Sequence, residues 1–487
     1  MNKKMILYVI GRSLLIEAVL LALPLITALI YGESIIPFLI PIGLLLAIGL
    51  ATGMKKPKNA SLFARDGLAI VALVWVFMSA FGALPFVLSG DIPNYIDAFF
   101  ETVSGFTTTG STILTDVEAL TYSSLFWRSF THWVGGMGVL VFVMAILPMN
   151  DGHGMHMLRA EMPGPTASKL VSRMSDTAKI LYVIYFVMTV IEVVLLMLGG
   201  MPLFDSLLHS FGSAGTGGFG IKNLSVGYYD SAYFDIVIGV FILLFGVNFN
   251  LYYFLLIGRF KDVFRSEELR AYFGIVAVSV IAIAVNISHM YDSFASSLRY
   301  SFFQVASIIT TTGYGTADFN TWPAFSKTIL VILMFVGACA GSTGGGMKVS
   351  RIVMLLKAAY YDMRKMLHPN SVVIVRFEDK VVPEKNVRSV QMYLSVYMVV
   401  FTLSCLLISL DGFDLVTTFT AVASCFNNIG PGLEVVGPMG NFAAFSPWAK
   451  VLLSFDMLVG RLELFPMLLL FAPSIWKKRK APAKRNY

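Results

Sequence analysis

Thr107-Thr108-Thr109-Gly110-Ser111 closes a short apolar segment with small hydroxylated residues and a glycine. A near copy stands at Thr310-Thr311-Thr312-Gly313-Tyr314-Gly315, and looser copies at Gly215-Thr216-Gly217-Gly218-Phe219 and Asn427-Asn428-Ile429-Gly430. Aligned on the glycines, Ala98-Phe99-Phe100-Glu101 before the first loop matches Ser301-Phe302-Phe303-Gln304 before the third. Val422-Ala423-Ser424 before the fourth likewise matches Val305-Ala306-Ser307. Gly110, Gly217, Gly313 and Gly430 fall at near-equal intervals, so the chain reads as four repeats of one unit, each supplying a quarter of a common site.

The sequence around these loops is that of a membrane protein. Of its 487 residues 57% are hydrophobic and only 13% charged, and the mean hydropathy of +0.76 lies outside the range of soluble domains. Apolar runs of the roughly 20 residues that cross a bilayer recur along the whole length, which excludes a soluble enzyme carrying one anchor. The net charge of +7 is not a nucleic-acid signature, because Lys and Arg gather in alternate connections. Lys55, Lys56, Lys58 and Arg65 follow the second run, and Arg259, Lys261, Arg265 and Arg270 occupy a later connection. Arg364, Lys365, Arg376 and Lys380 lie in another, and Lys477, Lys478, Arg479 and Lys480 in the tail. The intervening connections carry Glu33, Asp91, Asp116, Asp205, Asp292, Asp318 and Glu434. The positive-inside pattern therefore predicts cytoplasmic N- and C-termini, with all four short segments approaching from the outer side. Cys339, Cys405 and Cys425 lie in or beside apolar stretches and read as small core residues rather than a disulfide framework.

The predicted fold is an all-α polytopic membrane protein. A leading helical hairpin (residues 1–66) precedes four units of long helix, short helix, loop and long helix, at residues 67–176, 177–269, 270–386 and 387–487. Ten spanning helices and four short ones are expected. Lys3 and Lys4 followed by an apolar run too long for a cleavable leader read as a retained first span. Short helices are predicted at 96–106, 204–211, 298–309 and 415–426, and the second long helices at 125–147, 234–256, 328–356 and 450–471. Residues 372–375 suggest a small strand or hairpin.

A segment of about ten residues cannot cross the hydrocarbon core, and its non-helical continuation carries backbone groups that lipid cannot satisfy. It must line an aqueous cavity or be buried in protein. Rings of carbonyl and hydroxyl oxygen can replace the hydration shell of a monovalent cation. Short helices ending at such a ring would also turn the negative ends of their dipoles toward it. The candidate ligands are Thr108, Thr109, Gly110, Thr216, Gly217, Thr311, Thr312, Gly313, Asn428, Ile429 and Gly430.

The four loops, the stretch Gly337-Ala338-Cys339-Ala340-Gly341-Ser342-Thr343-Gly344-Gly345-Gly346-Met347-Lys348, and Gly460-Arg461-Leu462-Glu463 in the last helix together resemble the Trk/Ktr/HKT superfamily of potassium transporters. The likeness spans essentially the whole chain. It implies a pseudo-fourfold pore whose filter glycines are Gly110, Gly217, Gly313 and Gly430, and potassium as the transported ion with no bound organic cofactor. It also implies uptake across a bacterial or archaeal cytoplasmic membrane rather than enzyme activity. The implied partners are a second copy in a homodimer and a cytosolic nucleotide-binding subunit of the RCK type, TrkA-like. The implied gate is the loop carrying Gly341, Ser342, Thr343, Gly344, Gly345, Gly346 and Lys348, in contact with Arg461. From the residues alone, Arg461 has Glu463 or Asp456 as alternative partners, and Lys348 has the option of reaching the cytoplasmic interface. The competing function is a secondary symporter coupling potassium to protons or sodium, for which Glu101 and Gln304 are the nearest side chains.

Other patterns carry less. Gly215 to Gly220 satisfies G-x-G-x-x-G, but no strand precedes it, and the run from Gly341 to Lys348 lacks the Gly-Lys-Ser/Thr ending of a phosphate loop. Asp151, His153 and His156 read as a solvated connection, His132 as a core histidine, and Glu17 as a structural group facing protein or Arg12.

Overall fold

The computed structural model describes residues 2–58, 64–138, 174–369 and 374–473. Several helices begin at a capping side chain. Asn2 accepts from the Met5 amide at the start of α1 (Lys3–Leu20), and α2 (Ala22–Tyr31) continues that span to Gly32 in the left-handed region. The returning α3 (Ile36–Gly53) packs so closely on α1 that a Cβ on Gly11 or Gly53 would strike the facing backbone. Glu17 is buried against protein beside Gly82, and Arg12 lies over the Tyr8 ring.

The first quarter is α4 (Ala64–Gly82) with α5 (Leu84–Ser89), the short α6 (Tyr95–Phe106) and α7 (Tyr122–Gly136). The second is α8 (Met174–Leu198), the short α9 (Leu203–Gly215), α10 (Ala232–Phe245) and α11 (Phe249–Leu256), joined by α12 (Phe260–Arg265) to the third. That quarter is α13 (Glu267–Asn286), the short α14 (Phe294–Ile309), α15 (Ala324–Val336) and α16 (Val349–Leu367). The fourth is α17 (Glu384–Ile408), the short α18 (Leu415–Asn427), α19 (Pro447–Arg461) and α20 (Phe465–Leu470). Asn94, Ser293 and Asp414 cap three of the short helices through first-turn amides, and α9 starts from Pro202. The longest short helix, α14, has 16 residues, about 24 Å at 1.5 Å per residue, and so falls short of a bilayer core.

Not all of the ten expected spanning helices run unbroken through the described residues. Among the described residues, six helices are long and apolar enough to cross a membrane unbroken: Lys3–Tyr31, Ile36–Gly53, Arg65–Ser89, Ala178–Leu198, Glu267–Asn286 and Glu384–Asp411. The second long helices of the quarters differ. α10 and α11 meet at 92° across Gly246, Val247 and Asn248. Residues 337–348 separate α15 from α16, and left-handed Glu463 and Leu464 separate α19 from α20. α7 is described to Gly136, and its predicted continuation lies outside the described residues. Hydropathy averages over these breaks because most of their residues are small or apolar, Asn248, Lys348 and Glu463 being isolated exceptions. The first two breaks satisfy each other's backbone: the Phe249 amide donates to the Gly341 carbonyl and the Cys339 amide to the Gly246 carbonyl, each at 3.0 Å.

The two larger of four apolar clusters among the described residues flank the loops. Phe100, Phe106, Trp127, Tyr397 and Phe426 belong to one, between the first and fourth quarters. Tyr272, Ile308, Tyr314 and Leu330 belong to the other, beside the second and third. An antiparallel pair, β1 (Arg376–Phe377) and β2 (Lys380–Val381), forms just after the expected position; Ile374 and Val375 are in no strand, and Val372 and Val373 lie outside the described residues, as do Asp151, His153, His156 and the basic tail.

Candidate functional site

The four short helices end in the same way. Amide groups bond back five residues: Thr109 to Ser104, Gly217 to Gly212, Thr312 to Ser307 (each 2.8 Å) and Ile429 to Ser424 (2.9 Å). The residue before each of these amides is left-handed, with φ of 53° at Thr108, 52° at Thr216, 60° at Thr311 and 56° at Asn428. Three of the four are β-branched threonines, for which this region costs about 1–3 kcal/mol each, so the surrounding structure holds a strained backbone at each copy.

This repeat corrects the alignment of the second loop. Gly217 takes the place of Thr109, Thr312 and Ile429, and the glycine equivalent to Gly110, Gly313 and Gly430 is Gly218. Its φ of 75° matches their 84°, 85° and 103°. Two adjacent glycines left the register ambiguous in the sequence, and only the bond that closes the helix resolves it. Gly217 is glycine for a different reason: a Cβ there would collide with the His132 ring.

The loops interlock in order. A Cβ on Gly110 would lie under 3.0 Å from the Gly217 carbonyl oxygen; on Gly218, from that of Thr312; on Gly313, from that of Ile429; and on Gly430, from that of Thr109. Each glycine thus receives the carbonyl of the next loop, and the fourth closes on the first. The carbonyls of Thr109, Gly217, Thr312 and Ile429 form one ring that no Cβ-bearing residue fits without displacing a backbone oxygen. Hydroxyls brace it: Thr107 to Thr109 and Thr310 to Thr312, both at 2.7 Å, and Ser111 to the Gly430 carbonyl at 3.0 Å. Asn428 donates to both Thr109 Oγ1 and the Met457 carbonyl at 2.9 Å. One cavity on one side of the ring is lined by Gly110, Ser111, Gly218, Gly313, Gly430 and Arg128.

Against the other side lies the 337–348 loop. The Gly345 amide donates to Thr311 Oγ1 at 2.6 Å, and a Cβ on Gly344 would lie 2.9 Å from the Thr310 carbonyl. Glu268 of α13 ties down both ends of the loop, accepting from the Ala340 amide at 2.7 Å and the Ser350 amide at 3.1 Å. Arg461 donates to the Thr343 carbonyl at 2.7 Å and to the Gly135 and Gly136 carbonyls at 2.6 and 2.8 Å. Glu463 pairs with Arg351 at 2.6 Å and Asp456 accepts from Ser404 at 2.8 Å. Lys348 is buried and donates to the Gly344 carbonyl. A second cavity is lined by Gly341, Ser342, Gly344, Gly345, Gly346, Lys348 and Arg461. All the sequence-predicted site residues therefore gather at the ring or the loop beneath it.

Three residues beyond that prediction belong to the site. Gly218 completes the ring. His132 does more than fill core: its Nδ1 lies 2.9 Å from the Gly105 carbonyl, and its Nε2 accepts from the Phe219 amide at 3.3 Å. Arg128 binds Glu101 at 2.6 Å and the Gly220 carbonyl at 2.7 Å. An arginine and a histidine four residues apart in an apolar helix were the available signal.

The spans, the buried breaks and the closed four-loop ring define a multi-pass membrane protein of four helix-loop-helix quarters. A family model described as cation transport protein, TrkH, matches residues 38–478, and the chain belongs to that family. It is 38% identical to the Trk system potassium uptake protein TrkH of Salmonella typhimurium, and 37% identical to that of Escherichia coli K12. Each match covers 98% of this chain and all of the relative. Its fold is similar to the crystal structure of the potassium transporter TrkH from Vibrio parahaemolyticus, with a TM-score of 0.88 and 34% identity over 98% of this chain and 100% of that one.

Proposed function

We propose that this protein carries potassium into the cell through the centre of the four-loop ring, down the ion's electrochemical gradient. The observation that supports this reading best is the cyclic interleaving of Gly110, Gly218, Gly313 and Gly430 with the carbonyls of the neighbouring loops. Four helix C-termini converge there, and uncharged oxygens can replace the water around a monovalent cation without binding it too tightly to leave. The relatives are named as potassium uptake proteins of a Trk system, which supplies the ion. The 337–348 loop is the gate in this reading, because it lies against Thr311 and is held by Arg461 from another quarter. A homodimer in a bacterial or archaeal cytoplasmic membrane, with both termini inside and a cytosolic nucleotide-binding subunit acting on the gate, completes the proposal. Glu101 is occupied by Arg128, Thr112 and Ile113, which favours a channel-like path over a carboxylate relay.

Purified protein in liposomes under a potassium gradient tests this, with and without the regulatory subunit. The expected result is potassium flux exceeding sodium flux in mixed-ion reversal potentials. Absence of cation flux under both conditions overturns it.

A further inference from the structure

The four seams of the ring are not alike. Seven residues before the left-handed position stand Glu101, His209, Gln304 and Ala421 in the four short helices, so among these positions only the first quarter carries a carboxylate. Its partner Arg128 is 2% exposed, and the Glu101 side chain is fully buried. Glu101 accepts from Arg128 Nε at 2.6 Å, from Thr112 Oγ1 at 2.9 Å and from the Ile113 amide at 3.0 Å, which fixes the chain leaving the first loop. Arg128 Nη1 then crosses to the Gly220 carbonyl at 2.7 Å, and the guanidinium carbon sits 3.6 Å from the centre of the Phe219 ring. Phe219 directly follows Gly218, so one guanidinium links the exits of two adjacent loops. Its planar fork suits that double task, whereas an ammonium is a point charge without fixed directions.

We propose that Arg128, oriented by Glu101, is a positioning residue that sets cation specificity by holding the second loop in register with the first. The proposal rests on the reading of the ring as a potassium filter. It is tested in liposomes by mixed potassium and sodium reversal potentials on wild type, R128K and the double variant E101Q/R128Q, which avoids stranding one buried charge. The double variant is expected to conduct with its potassium-over-sodium permeability ratio lowered about tenfold, the scale of one lost charge-assisted hydrogen bond. R128K keeps the charge but is expected to show a lowered ratio too. The pair of half-buried Arg299 and buried Asp235, 2.6 Å apart between α10 and α14, is the control: D235N/R299Q is expected to keep the wild-type ratio. A wild-type ratio in the double variant overturns the proposal, as does an equal drop in the control. If the double variant fails to fold, R128K decides, and an unchanged ratio there overturns it. A wild type without potassium preference overturns the filter reading itself, and the proposal with it.

Discussion

At Gly218 a methyl group has no place to go: φ is 75°, and the Thr312 carbonyl oxygen occupies the position a Cβ would take. Gly218→Ala is therefore expected to lower the potassium-over-sodium permeability ratio at least about tenfold or to abolish flux. Gly43→Ala, a site with nothing within 4 Å, is expected to leave both unchanged. Reversal potentials decide, and an unchanged ratio in Gly218→Ala removes that glycine from the filter. Arg461 illustrates a different kind of legibility. An arginine in an apolar helix demands polar partners, which the sequence states without naming them. Its partners among the described residues include three backbone carbonyls, two of them from the first quarter, and no side-chain pattern marks a carbonyl.

Among the elements, the short helices were readable because each is a short apolar segment closed by a glycine-bearing loop; three of them also start at a capping side chain. Asp414 accepts from the Val416 and Thr417 amides and from the Thr417 hydroxyl, which together hold its carboxyl below the usual carboxylate range, the hydroxyl contributing most. A depressed folded-state value means that this stabilisation is present above the unfolded-state pKa and is lost as pH falls through the folded one. Asp414→Ala is expected to cost about 1 kcal/mol at neutral pH, with the difference from wild type shrinking in acid; thermal unfolding in detergent at both pH values checks it. The broken helices were less readable, since hydropathy is blind to backbone direction. Gly337, Gly341 and Gly346 all have positive φ, and the loop they shape is held by Glu268, Arg461 and Thr311 rather than by its own helix. Deleting Gly344, Gly345 and Gly346 is expected to raise potassium flux in liposomes several-fold if the loop obstructs the path. Unchanged conduction in a folded variant would remove its gating role.

For the whole molecule, the seams between quarters set the geometry. Tyr314 donates to the His209 carbonyl at 3.0 Å, and the Gly227 amide donates to the Gly315 carbonyl at 3.0 Å, joining the second and third quarters. Tyr314→Phe leaves that buried carbonyl without this donor and is expected to destabilise the protein by about 1 kcal/mol, read as a lower unfolding midpoint in detergent. An unchanged midpoint would mean that the seam's stability lies elsewhere. By itself the sequence determined that the chain is a four-repeat membrane protein, that its loops form a common site, and that the 337–348 stretch is not ordinary helix. Composition, charge alternation and internal likeness are local or statistical properties, and they survive without knowledge of neighbours. Only the tertiary structure decided that Gly218 rather than Gly217 completes the ring, that the second long helices of the second and fourth quarters also break, and that Arg128 and His132 lie at the ring. Gly218 meets the Thr312 carbonyl, Arg128 the Gly220 carbonyl and His132 the Phe219 amide, each from another quarter, and every residue offers such backbone groups, so these placements are invisible until the chain is folded.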